Sequence, residues 1–244
     1  MEISFKGKRA LVTGGGRGIG KSIAEALLKC GAEVVVLEKI EEDLNKFKKE
    51  EPSIIPLQCD LTDWDATRKA VEGVGPIHML VNSAGVAAIT PFLDVTKSEL
   101  DWVFSVNYQA IVNVSQVVVK GMVERGQGGA IVNISSMTTN VAFPEHTSYC
   151  SSKGAVDTLT RVMALELGPH QIRVNAIHPT IVMTDMGRRA WEDPNKHMKY
   201  LVRTPMGHFA DPTDVADGTV FLLSDMAKMV SGTILHIDGG FTAN

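Results

Sequence analysis

Cysteine is scarce in this chain, with only Cys30, Cys59 and Cys150 among 244 residues. The count is odd, and no C-x-x-C spacing occurs. A disulfide framework or a zinc site is therefore not expected, no metal-ligand set emerges, and a reducing compartment, the cytoplasm, fits best. Positive charge is not in excess either. A net charge of −4 leaves no basic footprint and so no reason to expect a nucleic-acid partner. Long apolar runs are missing as well. No stretch approaches the roughly 18–20 uninterrupted apolar residues of a transmembrane segment. The opening MEISFKGKRALVTGGG has no apolar run before its glycines and does not read as a signal peptide. No internal repeat and no low-complexity linker interrupts the chain. A composition of 44% hydrophobic and 21% charged residues is ordinary for a globular protein, and residues 1–244 are expected to form a single domain.

What is present is an alternation. Arg9–Val12, Glu33–Leu37, Ile54–Cys59, Met79–Asn82, Ala130–Ser135, Arg173–Ile177 and Thr233–Ile237 read as strands, rich in apolar and β-branched residues. Between them lie segments of helical period: Lys21–Cys30, Glu41–Lys49, Trp64–Val71, a long and bent Ser98–Arg125, Tyr149–Leu167 and Pro212–Leu223. Such alternation predicts an α/β fold, a Rossmann-type doubly wound parallel sheet with helices on both faces. Thr180–Pro205 breaks the rhythm, and 180–205 is expected to be a substrate lid or loop.

The sequence TGGGRGIG at Thr13–Gly20 follows a strand and opens a helix. Gly14 permits a tight turn, Gly18 lets the backbone approach a pyrophosphate, and Gly20 allows close packing of helix on strand. With Arg17 and Ile19, the turn offers backbone N–H groups and the positive end of a helix dipole to phosphates. A glycine cluster alone is weak evidence, and its strand–helix context is what strengthens it. In open α/β sheets ligands bind beyond the carboxyl ends of the strands. Asp60 and Leu61, then Asn82, Ala84 and Gly85, then Pro179, Val182 and Thr184 follow three such ends. An adenine amine could donate to Asp60. Glu38 ends the second strand, where a carboxylate can accept both hydroxyls of an adenosine ribose. Together these segments predict a dinucleotide groove.

Tyr149 and Lys153 in YCSSK are spaced to share one helix face. A nearby ammonium is expected to lower the tyrosine pKa towards useful acid/base work. Such a pair taken alone is ordinarily a surface contact. Here Cys150, Ser151, Ser152 and Gly154 surround it, and small residues let a flat cofactor or a partner helix approach. Ser136 ends a strand, and its hydroxyl can hold a carbonyl oxygen as negative charge develops. Asn107 lies in a helix, and its amide can bind a water that passes protons to Lys153. His146 and Trp191 are candidate walls of a substrate pocket, although either can serve its loop alone.

On these residues the chain resembles the short-chain dehydrogenase/reductase family over essentially its whole length. The family's TGxxxGxG, its NNAG (here NSAG from Asn82), its helix asparagine, its serine and its YxxxK all occur in order. Within the family CDLTDWDAT, PFLDVTK and VMALELGPHQIRVNAIHPTIVMTDMG resemble the dicarbonyl/L-xylulose reductases among the tetrameric carbonyl reductases. The resemblance implies NADP(H)-linked reduction of α-dicarbonyls and L-xylulose, reversible polyol oxidation, and a homotetramer. Tyr149, Lys153, Ser136 and Asn107 take the catalytic roles in that reading. Two departures stand out. Ser83 replaces the second asparagine of NNAG, a small polar change. Glu38-Lys39 stands where that group usually carries a small hydroxyl residue and arginine. Glu38 therefore favours NAD(H) or dual use against the family's NADP(H), while Arg17 and Lys39 can bind a 2′-phosphate or neutralise Glu38. The alternatives are another short-chain reductase, acting on a steroid or an acyl-carrier thioester with Arg188 and Arg189 as a docking hint, and a low-turnover cofactor-binding scaffold.

Overall fold

A computed structural model describes residues 3–184, 187 and 193–243. Its centre is a seven-stranded, wholly parallel sheet in the order β3-β2-β1-β4-β5-β6-β7. The strands are β1 (Arg9–Thr13), β2 (Glu33–Glu38), β3 (Ile55–Gln58), β4 (Met79–Asn82), β5 (Gly129–Ile134), β6 (Ile172–Pro179) and β7 (Ile234–Ile237). The principal helices are α1 (Gly18–Lys29), α2 (Glu41–Glu50), α3 (Trp64–Glu72), α4 (Lys97–Phe104), α5 (Ala110–Arg125), α6 (Thr147–Leu167), α7 (Pro194–Leu201) and α8 (Pro212–Leu223).

Strand periodicity sets the two cores. On β1, Ala10 and Val12 face a layer built with α1, α2 and α8, while Leu11 faces a layer built with α3, α5 and α6. On β4, Met79 and Val81 part from Leu80 in the same way. Burial on both faces is why these strands read as apolar runs rather than as alternation. The strand order reverses between β1 and β4, and that is where an open α/β sheet has its ligand crevice.

Several boundaries differ from the sequence reading. α1 starts three residues early, inside the glycine motif, because Gly18 supplies its first turn. Ser98–Arg125 is not one helix. A π-helical turn at Ser105–Gln109 separates α4 from α5. Segment 180–205 is not wholly irregular, since it contains α7.

Candidate active site

The glycine turn and the end of β4 are pressed together. Gly14 has φ +63°, and a Cβ there would lie 2.7 Å from Ala84 Cα. Thr13 Oγ1 accepts from the N–H groups of Ser83 and Ala84 at 3.1 and 3.2 Å. Thr13, Leu61, Asn82, Ala84 and Ala110 line a narrow crevice between the two strand ends. Gly20 packs on the same turn, where a Cβ would sit 2.2 Å from the Gly14 carbonyl oxygen. The Arg17 side chain does not cap α1, so the first-turn N–H groups, Ile19 among them, keep their donors for a ligand. The loop after β6 closes the far side: Thr184 Cγ2 lies within 3.3 Å of where a Gly18 Cβ would be. Val182 is tied to Ala210 and is buried. These features fit a dinucleotide. Two phosphates find uncapped amides.

Glu38 is buried at the rim of the glycine turn. Its carboxylate accepts from three backbone N–H groups: Lys39 at 2.9 Å, Ile40 at 3.2 Å and Gly16 at 3.3 Å. Neither candidate cation neutralises it. Arg17 pairs with Asp43 at 3.6 Å and Lys39 with Asp60 at 2.8 Å. The Asp60 carboxylate already accepts from Lys39 and from Thr62, so an adenine amine would join these donors rather than meet a free carboxylate. Burial alone would raise its pKa, but those bonds hold it below the usual carboxylate range.

Asn82 also differs from its sequence reading. Its side chain turns into the protein, and Nδ2 donates to Asn133 Oδ1 at 2.8 Å and Ser115 Oγ at 3.2 Å. Asn133 in turn donates to Thr160 at 2.9 Å. This ladder joins β4, β5, α5 and α6 beneath the crevice. Neither Thr13 nor Asn133 was singled out from the sequence. A threonine heading the glycine motif and an asparagine inside an otherwise apolar strand were the available signals.

Asn107 sits in the π-turn and is fully buried. Its Oδ1 accepts from Val86 N–H at 2.8 Å, and its Nδ2 donates to the Val86 carbonyl at 2.9 Å and Ser152 Oγ at 2.9 Å. Both amide hydrogens are used, so the amide holds the Val86 segment, and a water can reach Asn107 only as a donor to Oδ1.

Tyr149 and Lys153 lie one turn apart on α6. Lys153 is buried, donates to the Ile134 carbonyl at 2.8 Å, and stands 5.7 Å from the Tyr149 ring centre. Gly85 lies against it, since a Cβ there would be 3.5 Å from both Lys153 Nζ and Asn107 Oδ1. Burial pushes Lys153 down to about 8, against the attraction of Asp157. Tyr149 shifts opposite to expectation: burial raises its pKa, and the hydrogen bond with Ser136 only partly offsets this. The spacing argument counted the ammonium but not the desolvation of both groups. A tyrosine that keeps its proton is a donor. Ser136 Oγ also accepts from Thr138 N–H at 3.2 Å and Thr138 Oγ1 at 2.9 Å, which fixes its position at the end of β5.

His146 precedes α6, and its ring stands edge-on to Tyr149 at 6.3 Å between centres. Its Nδ1 faces the Pro144 carbonyl at 2.6 Å. Phe143 adjoins His146 at 5.9 Å and Tyr200 of α7 at 4.8 Å, while Phe241 is 6.4 Å from both Phe143 and Tyr200. An aromatic wall thus leads away from Tyr149, built from three distant segments that the sequence did not connect. Trp191, Arg188 and Arg189 lie outside the described residues.

A family model described as enoyl-(acyl carrier protein) reductase matches residues 14–242. The chain is 51% identical over 243 residues to the L-xylulose reductase of Mus musculus, covering 100% of each chain. It is 47% identical over 244 residues to the NADPH carbonyl reductase 2 of Sus scrofa, again covering 100% of each. A solved short-chain type dehydrogenase/reductase from Mycobacterium ulcerans superposes with a TM-score of 0.95 at 32% identity, over 99% of this chain and 92% of that one. With a parallel sheet in Rossmann order, an uncapped glycine turn at the strand reversal and these full-length likenesses, the chain belongs to the short-chain dehydrogenase/reductase family and is a nicotinamide-dependent oxidoreductase.

Proposed function

We propose that this protein reduces small α-dicarbonyls and L-xylulose, and in reverse oxidises polyols such as xylitol, with Tyr149, Lys153, Ser136 and Asn107 as its catalytic residues. The observation that carries the reading is the contact of Tyr149 with Ser136 above a buried Lys153, next to the glycine turn. The nicotinamide group, when bound, supplies or receives the hydride. Gly14, Arg17, Gly18, Ile19 and Gly20 take its phosphates, Glu38 and Lys39 its adenosine ribose, and Leu61, Ala84, Gly85, Pro179, Val182 and Thr184 the length of the groove. Asp60 acts through Lys39, and Asn82 acts through the buried ladder that holds Ala84 and Gly85.

In reduction, Ser136 and Tyr149 both donate to the substrate carbonyl oxygen, and Tyr149 gives up its proton. Lys153, held as an ammonium, stabilises the phenolate that this leaves. Asn107 keeps the Val86 segment, and with it Gly85, against Lys153. Below about pH 8 Lys153 is charged, and as pH rises through that value the charge is lost. The rate of reduction is therefore expected to fall on an alkaline limb near pH 8. A flat stopped-flow profile from pH 7 to 9 would remove Lys153 from this role.

His146 and Phe143 confine the substrate side, with Trp191 completing the pocket in this reading. A pocket walled by rings suits short dicarbonyls and sugars over steroids. The test is a carbonyl panel run separately with NADH and NADPH. Diacetyl and L-xylulose are expected to exceed a bulky ketone in kcat/KM, and the reverse ranking favours a steroid-type reductase. Among the described residues no helix is long and apolar enough to cross a membrane, and no disulfide joins the three cysteines.

The assembly belongs to the same reading. Ser151, Gly154, Thr158, Val162 and Leu165 form one stripe of α6. A Cβ at Gly154 meets nothing, and Leu165 is 80% exposed. A helix of a second copy can pack there, and a homotetramer follows from pairing such faces twice. Light scattering at micromolar concentration is expected to give the mass of four chains; a monomer would rule the pairing out.

A further inference from the structure

Asp157 follows Lys153 by one turn on α6, and both are buried, at 5% and 4% exposure. His178 of β6 is completely buried, with Nε2 at 2.9 and 3.0 Å from the two Asp157 carboxylate oxygens. Burial alone would raise the Asp157 pKa. Hydrogen bonds from His178, Ser135 and Thr139 outweigh it and hold the carboxyl below the usual range. An anion is thus fixed inside the protein, one turn from the lysine, and the chemistry described so far does not use it.

The charge on the pair follows from its hydrogen bonds. A proton on His178 Nε2 satisfies both contacts with Asp157. His178 Nδ1 is buried without a partner among the described residues. The donors around its carboxylate hold Asp157 as an anion. Buried charges persist when another charge compensates them, and the neighbouring cation is Lys153.

Among the described residues, the other elements facing Lys153 bring no charge. Tyr149 shares its helix, β5 presents the Ile134 carbonyl with Ser135 and Ser136, the turn after β4 presents Gly85, and the π-turn presents Asn107. Behind His178, the ring of His236 on β7 stands edge-on at 4.9 Å and reaches Asn140 at 3.4 Å, on the side away from Asp157. Asp157 is the one carboxylate in this set.

We propose that Asp157, oriented by His178, is the counter-charge that keeps Lys153 protonated, and so is a positioning residue for proton transfer. The inference rests on the reading of Lys153 as a catalytic residue.

The experiment is the pH profile of kcat for carbonyl reduction by the holoenzyme. Asp157→Asn removes the charge and keeps the shape. Its alkaline limb is expected to move to lower pH by about one unit, the scale of an opposite charge a few ångströms away, with the acid-side plateau largely kept. Asp157→Glu should bring the limb back towards wild type. His178→Asn keeps a hydrogen-bond donor towards Asp157 and should shift the limb much less than Asp157→Asn. If Asp157→Asn does not fold, Asp157→Ser is the second neutral variant and carries the same expectation. A merely structural role would lower the plateau and leave the limb where it is, and a wild-type limb in a folded neutral variant overturns the proposal. Lys153→Met separates the two levels. If it retains wild-type turnover, the catalytic reading of Lys153 fails; if it is inactive while the neutral variants keep the wild-type limb, this inference alone fails.

Discussion

Tyr149→Phe is expected to bind cofactor as wild type does and to turn over about 10²–10⁴-fold more slowly, the usual contribution of a positioned general acid. The substitution keeps the ring and so keeps its edge-on contact with His146. It removes the phenolic hydroxyl that meets Ser136. Ser136 stays fixed by Thr138 and still donates to the carbonyl oxygen. Residual activity should therefore reflect stabilisation without proton transfer. The raised Tyr149 pKa sharpens this expectation: the hydroxyl holds its proton at neutral pH, so reduction starts from a protonated acid, which the variant lacks. The measurement is single-turnover reduction with cofactor affinity determined in parallel by fluorescence. Near-wild-type turnover would remove Tyr149 from the acid role, and lost cofactor binding would mean the variant had disturbed the groove instead.

The framework of this site is written in short-range pattern, and its chemistry largely is not. A strand running into TGGGRGIG and a helix carrying YCSSK locate the turn and the Tyr149–Lys153 pair, because each depends on spacing within one element. The direction of the Tyr149 pKa shift depends on depth of burial, which spacing does not carry. The partners of Arg17 and Lys39 depend on β2 lying beside β3, which brings Asp60 to Lys39 and leaves Glu38 to backbone amides. The π-turn is hidden because Ser98–Arg125 keeps helical composition throughout, yet it underlies the reach of Asn107 to Val86. The aromatic wall draws Phe143, Tyr200 and Phe241 from segments far apart in sequence. Asp157 did leave a trace: a carboxylate one turn beyond Lys153, on a helix face that otherwise carries Val156 and Thr160 into the core.

Glu38→Ser is expected to raise the ratio of kcat/KM for NADPH over NADH by at least about tenfold, equivalent to roughly 1.4 kcal/mol. Wild-type Glu38 cannot easily turn away, because three backbone N–H groups hold its carboxylate at the rim of the glycine turn. In that position it accepts ribose hydroxyls well and meets a 2′-phosphate as a like charge. Two unit charges about 4 Å apart repel by roughly 1 kcal/mol in water and about 4 kcal/mol at an effective dielectric near 20. The opposing effect comes from Arg17 and Lys39. The Lys39–Asp60 pair involves substantially exposed side chains, and such pairs contribute about 0–1 kcal/mol. Lys39 can leave it for a phosphate at little cost. On this balance the wild type is expected to use NADH at least as well as NADPH, whereas the pig relative's name specifies NADPH. With serine at position 38 the repulsion disappears while Arg17 and Lys39 remain, so NADPH gains as NADH loses its ribose acceptor. Steady-state kinetics with both cofactors, for wild type and variant, decide the matter. A wild type that strongly prefers NADPH, with a ratio unmoved by the substitution, would mean that Glu38 does not read the ribose.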